Sequence, residues 1–178
     1  AEVTEDVRNH YIGVARLFRA NFYMEKIKRY SNVPWYDYVL GTSNEDLYKP
    51  SDSREVVINH IFEDYQFALN NVMESVETGT VNKWVVAAYY SRSALHEGTF
   101  RKYHNELGLA STSNTYLQLA ENVSKEIMDS EAYSIYNTGN PSQDYHMLFE
   151  SQDLTSNPEI IFSNTFETDI KDGADPQY

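Results

Sequence analysis

Ala15-Arg-Leu-Phe-Arg-Ala-Asn-Phe-Tyr-Met-Glu-Lys-Ile-Lys-Arg-Tyr30-Ser-Asn-Val-Pro34-Trp-Tyr-Asp37 is the stretch that decides the fold. It reads as a helix that ends near Tyr30 and runs into a rigid aromatic turn. Pro34 stops any helical continuation and biases Val33 towards extended backbone. Ser31 and Asn32 supply the turn, because short polar side chains hydrogen-bond the local backbone. Trp35, Tyr36 and Tyr38 then cluster around Asp37. A long helix that delivers aromatics and a carboxylate to a fixed loop is a way to present a flat ligand-binding platform. The alternative is that the same aromatics pack the loop onto the next helix.

Working outward, the helix extends back to about Thr4, with Val7, Tyr11, Val14, Phe18 and Phe22 at three- and four-residue steps on one face. Gly13 within it marks a close helix contact. Arg16 and Arg19 flank the apolar face and suit ion pairs with a neighbouring helix. Lys26, Lys28 and Arg29 sit where they complement the helix dipole.

Residues 31–52 form a long connection, which is functional or is held down by its own side chains; Leu47 and Tyr48 read as its anchor. A second helix begins near Asp52, read as its N-cap with Glu55 completing a capping box. Val57, Ile58, Ile61, Phe62, Tyr65, Ala68, Leu69, Val72 and Val76 bury it, and it stops before Thr78-Gly79. A third helix spans about Val81 to His104. Its face is Trp84, Ala88, Ser91, Leu95 and Gly98, and small residues along it allow a close neighbour. Arg92 lies near this face and reads as a cap for neighbouring carbonyls or the partner of a buried acid. Glu97 and Arg101 form a surface i,i+4 pair. Gly108 is a left-handed stop, and a fourth helix from about Ser113 to Ser130 folds back as an antiparallel hairpin. Beyond Tyr133 the chain is irregular, with a turn at Thr138-Gly139-Asn140-Pro141 and a short helical turn at Tyr145–Glu150. Glu159–Ser163 reads as a strand or an extended segment, and the acidic tail from Asp169 as mobile.

Helix starts near 52, 81 and 113 are almost evenly spaced. That pattern predicts an all-α domain of tetratricopeptide-like stacked helix pairs, an α-α superhelix, with long loops and little or no β. Residues 1–178 read as a single helical domain. The chain opens at Ala1 without Met, and the expectation is a piece of a longer protein.

Composition narrows the function. The formal charge of −13 across 178 residues argues against nucleic acid as a partner and against an anionic membrane surface. With no Cys, disulfides, zinc ribbons and thiol catalysis are excluded within the chain. The 15 Tyr residues suit recognition surfaces and helix interfaces alike. His96-Glu97 opens like a zinc-protease motif, but Phe100 stands where the second His belongs. His60, His96 and His104 lack ligand spacing. Asp37, Glu45 and Asp46 could join a structural calcium site with loop carbonyls, but their spacing matches no EF-hand, so a solvated acidic loop and no cofactor are expected. No nucleophile or acid/base constellation survives, and the chain reads as a binding protein without catalysis.

Five blocks then point to a family. They are Arg16-Leu-Phe-Arg19-Ala20 with Arg29-Tyr-Ser-Asn-Val-Pro34; Leu47-Tyr-Lys-Pro-Ser-Asp-Ser-Arg-Glu-Val-Val57; Gly79-Thr-Val-Asn-Lys-Trp-Val-Val-Ala87; Arg92-Ser-Ala-Leu-His-Glu-Gly-Thr99; and Asn157-Pro-Glu-Ile-Ile-Phe162. In this order they resemble the SusD/RagB-like nutrient-binding lipoproteins of Bacteroidetes. Ser31 and Asn32 depart from the Gly and Asp usual there. The resemblance implies tetratricopeptide-like helix pairs within a chain about three times longer. It implies a lipid-anchored, surface-exposed outer-membrane protein that binds glycans, or in some members peptides, for uptake by a SusC-like TonB-dependent transporter. The signal peptide and lipidated Cys of such proteins are absent from this segment. Trp35, Tyr36, Asp37 and Tyr38 are the candidate ligand-binding residues, chosen for their chemistry. The competing function is a helical-repeat scaffold for protein–protein contacts.

Overall fold

In the computed structural model, residues 3–75, 80–151, 154 and 157–163 are described. The helices are α1 (Glu5–Tyr30), α2 (Arg54–Asn71), α3 (Lys83–Tyr103), α4 (Ser113–Asp129) and α5 (Pro141–Glu150). The helix starts expected near 52, 81 and 113 fall at 54, 83 and 113. Among the described residues the only β feature is one isolated antiparallel bridge, Val33 to Asp52. The fold is all-α. The helix stop read at Thr78-Gly79, the Val76 position and the acidic tail lie outside the described residues.

α1 with α2, and α3 with α4, make two antiparallel hairpins that stack through α2 and α3. Glycine sets the spacing in both hairpins. A Cβ on Gly13 would lie 2.8 Å from Val72 Cγ2 and 3.5 Å from the Ala68 Cα; one on Gly98 would lie 2.9 Å from the Leu117 backbone nitrogen. The core runs between the hairpins, through Leu17, Met24, Ile27, Val57, Ile58, Ile61, Tyr65, Val85, Val86 and Tyr90. Tyr65 stacks on Tyr90 with centroids 5.3 Å apart. Burial raises both phenols, Tyr90 to about 12.

The face of α1 is a correction. Most of the stripe expected to face inward points out: Tyr11 is 67% exposed, and Phe18 and Phe22 are each 57% exposed, while Val14 alone of them packs against the core. The buried stripe is His10, Gly13, Leu17, Ala20, Met24 and Ile27, with Tyr23 beside it. Periodicity favoured the greasier stripe, but close packing selected the one carrying Gly13 and Ala20, where α2 can approach. Phe18→Ser and Phe22→Ser are therefore expected to shift stability by no more than about 0.5 kcal/mol, as for other surface positions, readable as an unmoved urea midpoint.

The start of α2 is a second correction. Ser53, not Asp52, is the N-cap, accepting from the Val56 N–H at 3.5 Å. Asn32 Oδ1 accepts the Arg54 N–H at 2.9 Å, so the turn after α1 caps α2. Ser31 holds φ at 63°, the left-handed side that costs an L-residue about 1–2 kcal/mol and that Gly takes freely.

Two ion-pair systems tie the helices. Asp64 on α2, 2% exposed, accepts from Arg19 Nε and Nη2 at 2.7 Å each, and Arg16 stands 3.7 Å away. The expected Arg16 and Arg19 pairing with a neighbouring helix is thus met. Glu97 is a third correction: expected on the surface, it is fully buried between Arg54 and Arg101.

After α4, Gly139 (φ 84°) makes the turn and Pro141 opens α5, longer than the single turn expected. Residues 157–163 form no strand. They lie along the preceding segment, with the Ser134 N–H donating to the Pro158 carbonyl at 3.0 Å and Ile161 packed on the core.

Candidate functional site

The 31–53 loop is built from one buried ring outward. Pro34 and the extended Val33 send Trp35 back between α1 and α2. There its ring lies 4.3 Å from Tyr23, stacks on His60 at 4.9 Å, and has the Arg19 guanidinium at 5.0 Å. Trp35 is 8% exposed, so its faces are spent on protein. For this residue the packing alternative describes the geometry. Leu47 and Tyr48, read as the loop anchor, are 43% and 89% exposed; Trp35 and Val33 do the anchoring.

Polar contacts fix the backbone around that ring. Asp52 Oδ2 accepts the Trp35 N–H at 2.7 Å and pairs with Lys49 Nζ at 3.0 Å. Those two contacts hold the Asp52 carboxyl below the usual carboxylate range. Lys49 Nζ also donates to the Trp35 carbonyl at 2.6 Å, and the Tyr36 N–H donates to Tyr23 Oη at 2.8 Å.

Next to the buried ring the loop brings Tyr36, Asp37 and Tyr38 to the surface. Tyr36 is half-buried, while Asp37 and Tyr38 are exposed. The two tyrosine rings meet edge to face at 6.2 Å. Tyr36 Oη donates to the Asp46 carbonyl at 2.5 Å, and Lys49 Nζ lies 4.6 Å from its ring centroid. Tyr38 Oη donates to the Asp46 carboxylate, and that hydrogen bond pushes the phenol up to about 12. Asp46 is held in turn by a 3-10 turn, Glu45–Tyr48, whose N-cap Asn44 accepts the Asp46 N–H at 2.9 Å. The sequence-read residues thus divide into one buried wedge and an exposed three-residue ledge. Tyr23, Asp46, Lys49 and Asp52 set the ledge; the sequence offered Asp46 only as a calcium candidate and Asp52 only as an N-cap, and gave Tyr23 and Lys49 no role in the loop. The extended Val33 was the available signal, because it pairs with Asp52.

This ledge can stack a flat apolar face on a tyrosine ring and offer a carboxylate for hydroxyl groups. Asp46 is engaged by both tyrosines, and among the described residues no group of three or more His, Cys, Asp or Glu side chains is placed to hold a metal. Also among the described residues, no helix is long and apolar enough to cross a membrane.

Comparison with solved structures gives the fold a context. A SusD-like protein from Bacteroides fragilis superposes with a TM-score of 0.64 at 22% identity, covering 94% of this chain and 29% of its own. A second crystal structure matches with a TM-score of 0.60 at 19% identity, covering 86% of this chain and 29% of its own. The chain therefore spans under a third of the length of each. No protein-family model matches it, and neither does any curated protein.

Proposed function

We propose that the chain is the helical part of a SusD-like protein that binds glycans at the cell surface for uptake, and that Tyr36, Asp37 and Tyr38 touch the ligand. The observation that carries this is the fixed tyrosine pair, Tyr38 exposed and Tyr36 half-buried, on a loop wedged by Trp35 and set on a scaffold similar to a SusD-like protein. Sugar rings stack on aromatic faces, and a rigid platform loses little entropy on binding. The same reading places the parent protein at the outer membrane, lipid-anchored and working with a SusC-like TonB-dependent transporter. It assigns binding without catalysis.

The test is affinity electrophoresis of the full-length chain in gels containing soluble polysaccharides. Tyr38→Ala is expected to weaken retention about threefold to tenfold, the range for loss of one ring contact. Tyr38→Phe, which keeps the ring and loses only the Asp46 contact, should retain most of it. Equal retention of wild type and Tyr38→Ala would remove the ledge from the site.

A second reading, a scaffold that contacts a protein, draws on the exposed Tyr11, Phe18 and Phe22 ridge of α1. Binding of a protein or peptide with no glycan response would favour it.

A further inference from the structure

On the face of α1 turned away from Arg19 and Tyr23, α1 and α3 run side by side in the same direction. A cleft of about 150 Å³ lies between them, lined by Asn21, Met24, Glu25, Lys28, Tyr89, Arg92 and Ser93. Its floor is a closed polar cluster. Tyr65 Oη donates to Asn21 Oδ1 at 2.5 Å and lies 2.9 Å from Ser93 Oγ. That arrangement turns the Asn21 amide so that its NH2 group has no partner among the described residues.

The walls carry surplus donors. Arg92 was expected to cap carbonyls or pair with a buried acid, and it does neither. It is exposed and makes no ion pair or hydrogen bond among the described residues. The Tyr89 hydroxyl is likewise unengaged. Lys28 donates to Glu25 at 2.6 Å, which is the cleft's single carboxylate. Counting charges, Lys28 and Arg92 stand against Glu25 alone, so the cleft is net positive on a chain of net charge −13. One turn beyond Arg92, His96 reports the same field. Burial first, and then the charge of Lys28, hold its imidazolium below the ordinary histidine range, and its Nδ1 is buried without a partner.

A free guanidinium, an ammonium, an amide NH2 and a phenol around one small cleft make a donor set for a single anionic group. The volume takes a carboxylate and at most the one ring that bears it. Tyr89 at the rim, 38% exposed, supplies a face for the ring that bears it. An acidic peptide side chain would satisfy the cations, but would leave the Tyr89 face and the hydroxyl-type donors without use.

We infer that the α1/α3 cleft receives the carboxylate of a uronic-acid residue, so that the glycan cargo is acidic. This rests on the glycan-binding reading and adds a second subsite to it. Arg92 binds the carboxylate through its fork, Asn21 and Tyr89 donate to the same group or to neighbouring hydroxyls, and Glu25 holds Lys28 in place until the anion arrives.

The experiment is calorimetric titration of the full-length chain with trigalacturonate, with neutral galacto-oligosaccharide of the same length, and with a tri-glutamate peptide. The expected result is a uronate affinity at least about tenfold above the neutral one, lost in Arg92→Ala and only partly kept in Arg92→Lys. Glu25→Gln, which frees Lys28, should tighten uronate binding, a gain that a merely structural role could not produce. Arg92 is exposed and unbonded, so its variants keep the fold, as a helical circular-dichroism spectrum will verify. Neutral binding without uronate preference, or preference unchanged by Arg92→Ala, overturns the acidic-cargo assignment and leaves the glycan reading standing. Arg92-dependent binding of the peptide but not of the uronate also overturns it. No response to any saccharide, including the polysaccharides of the gel test, removes both.

Discussion

Glu97→Ala is expected to destabilise the domain by about 3–5 kcal/mol, the cost of leaving buried charges uncompensated. Glu97 and Arg101 are 0% and 1% exposed, and Arg54 is 5% exposed. The Glu97 carboxylate accepts from Arg54 Nη2 at 2.5 Å and from Arg101 Nε at 2.8 Å. Arg54 Nη1 reaches the Ile27 carbonyl at 3.3 Å, joining the end of α1 to the start of α2. Arg101 donates to Glu55 at 2.5 and 3.0 Å and to Thr112 Oγ1 at 2.7 Å. Burial works against the Arg101 charge, but Glu55 and Glu97 outweigh it and its pKa stays raised. The rings of Phe100 and Tyr116 cover the two guanidinium groups at 3.9 and 4.4 Å. The carboxylate therefore joins α2 to α3, and its two arginines carry the contact on to α1 and α4. Removing it strands the Arg54 guanidinium where water does not reach and leaves Arg101 paired with Glu55 alone, whereas Glu97→Gln keeps an acceptor and should cost less. Urea denaturation will read the difference. A loss under about 1 kcal/mol in Glu97→Ala would mean that the cluster relaxes into solvent, as an ordinary surface pair does.

Trp35→Ala is expected to cost about 3–5 kcal/mol, as for other buried aromatic truncations. The indole fills the gap between Tyr23, His60 and Arg19, and the Asp52 and Lys49 contacts converge on its backbone. Its loss should also free the Tyr36–Tyr38 ledge. A glycan-binding defect in Trp35→Ala would then reflect a displaced loop, with normal affinity restored by nothing short of refilling the cavity. Trp35→Phe, which refills much of it, should recover most of the stability and the binding together. The near-ultraviolet circular dichroism of the tyrosines is the direct measure of loop order, and an unchanged spectrum in Trp35→Ala would show that the wedge is dispensable.

Why the helices and the buried face of α2 were legible, and the buried face of α1 was not, follows from these residues. Pro34, Gly108, the turn at Thr138–Pro141 and the apolar steps of α2 and α4 are local signals, and local backbone preferences obey them. The buried side of α1 depends instead on which residues let another helix approach, and Phe18 and Phe22 are too large to do so. Glu97 and Arg101 at i,i+4 look identical on a surface or in a core. Only Arg54, 43 residues away in sequence, makes the buried arrangement tolerable. Asp52 sits one residue before the true cap and is equally suited to capping; its competing offer was the Trp35 N–H. In the candidate site the chemistry of Trp35, Tyr36, Asp37 and Tyr38 was visible, but the division into a wedge and a ledge was not. That division depends on Tyr23 and His60, contributed by two different helices. The α1/α3 cleft was invisible for the same reason, since its donors are 71 positions apart at the extremes, from Asn21 to Arg92, by the sequence numbering.

The most direct test of the central reading is isothermal titration of the full-length chain with a panel of soluble neutral and acidic polysaccharides, repeated on a Tyr36→Ala/Tyr38→Ala double variant. Saturable binding of one glycan class by the wild type, reduced at least about tenfold in a double variant of unchanged stability, is the expected result. Saturable binding that the double variant retains in full would contradict the ledge as the ligand site, and no heat with any polysaccharide would contradict glycan binding itself.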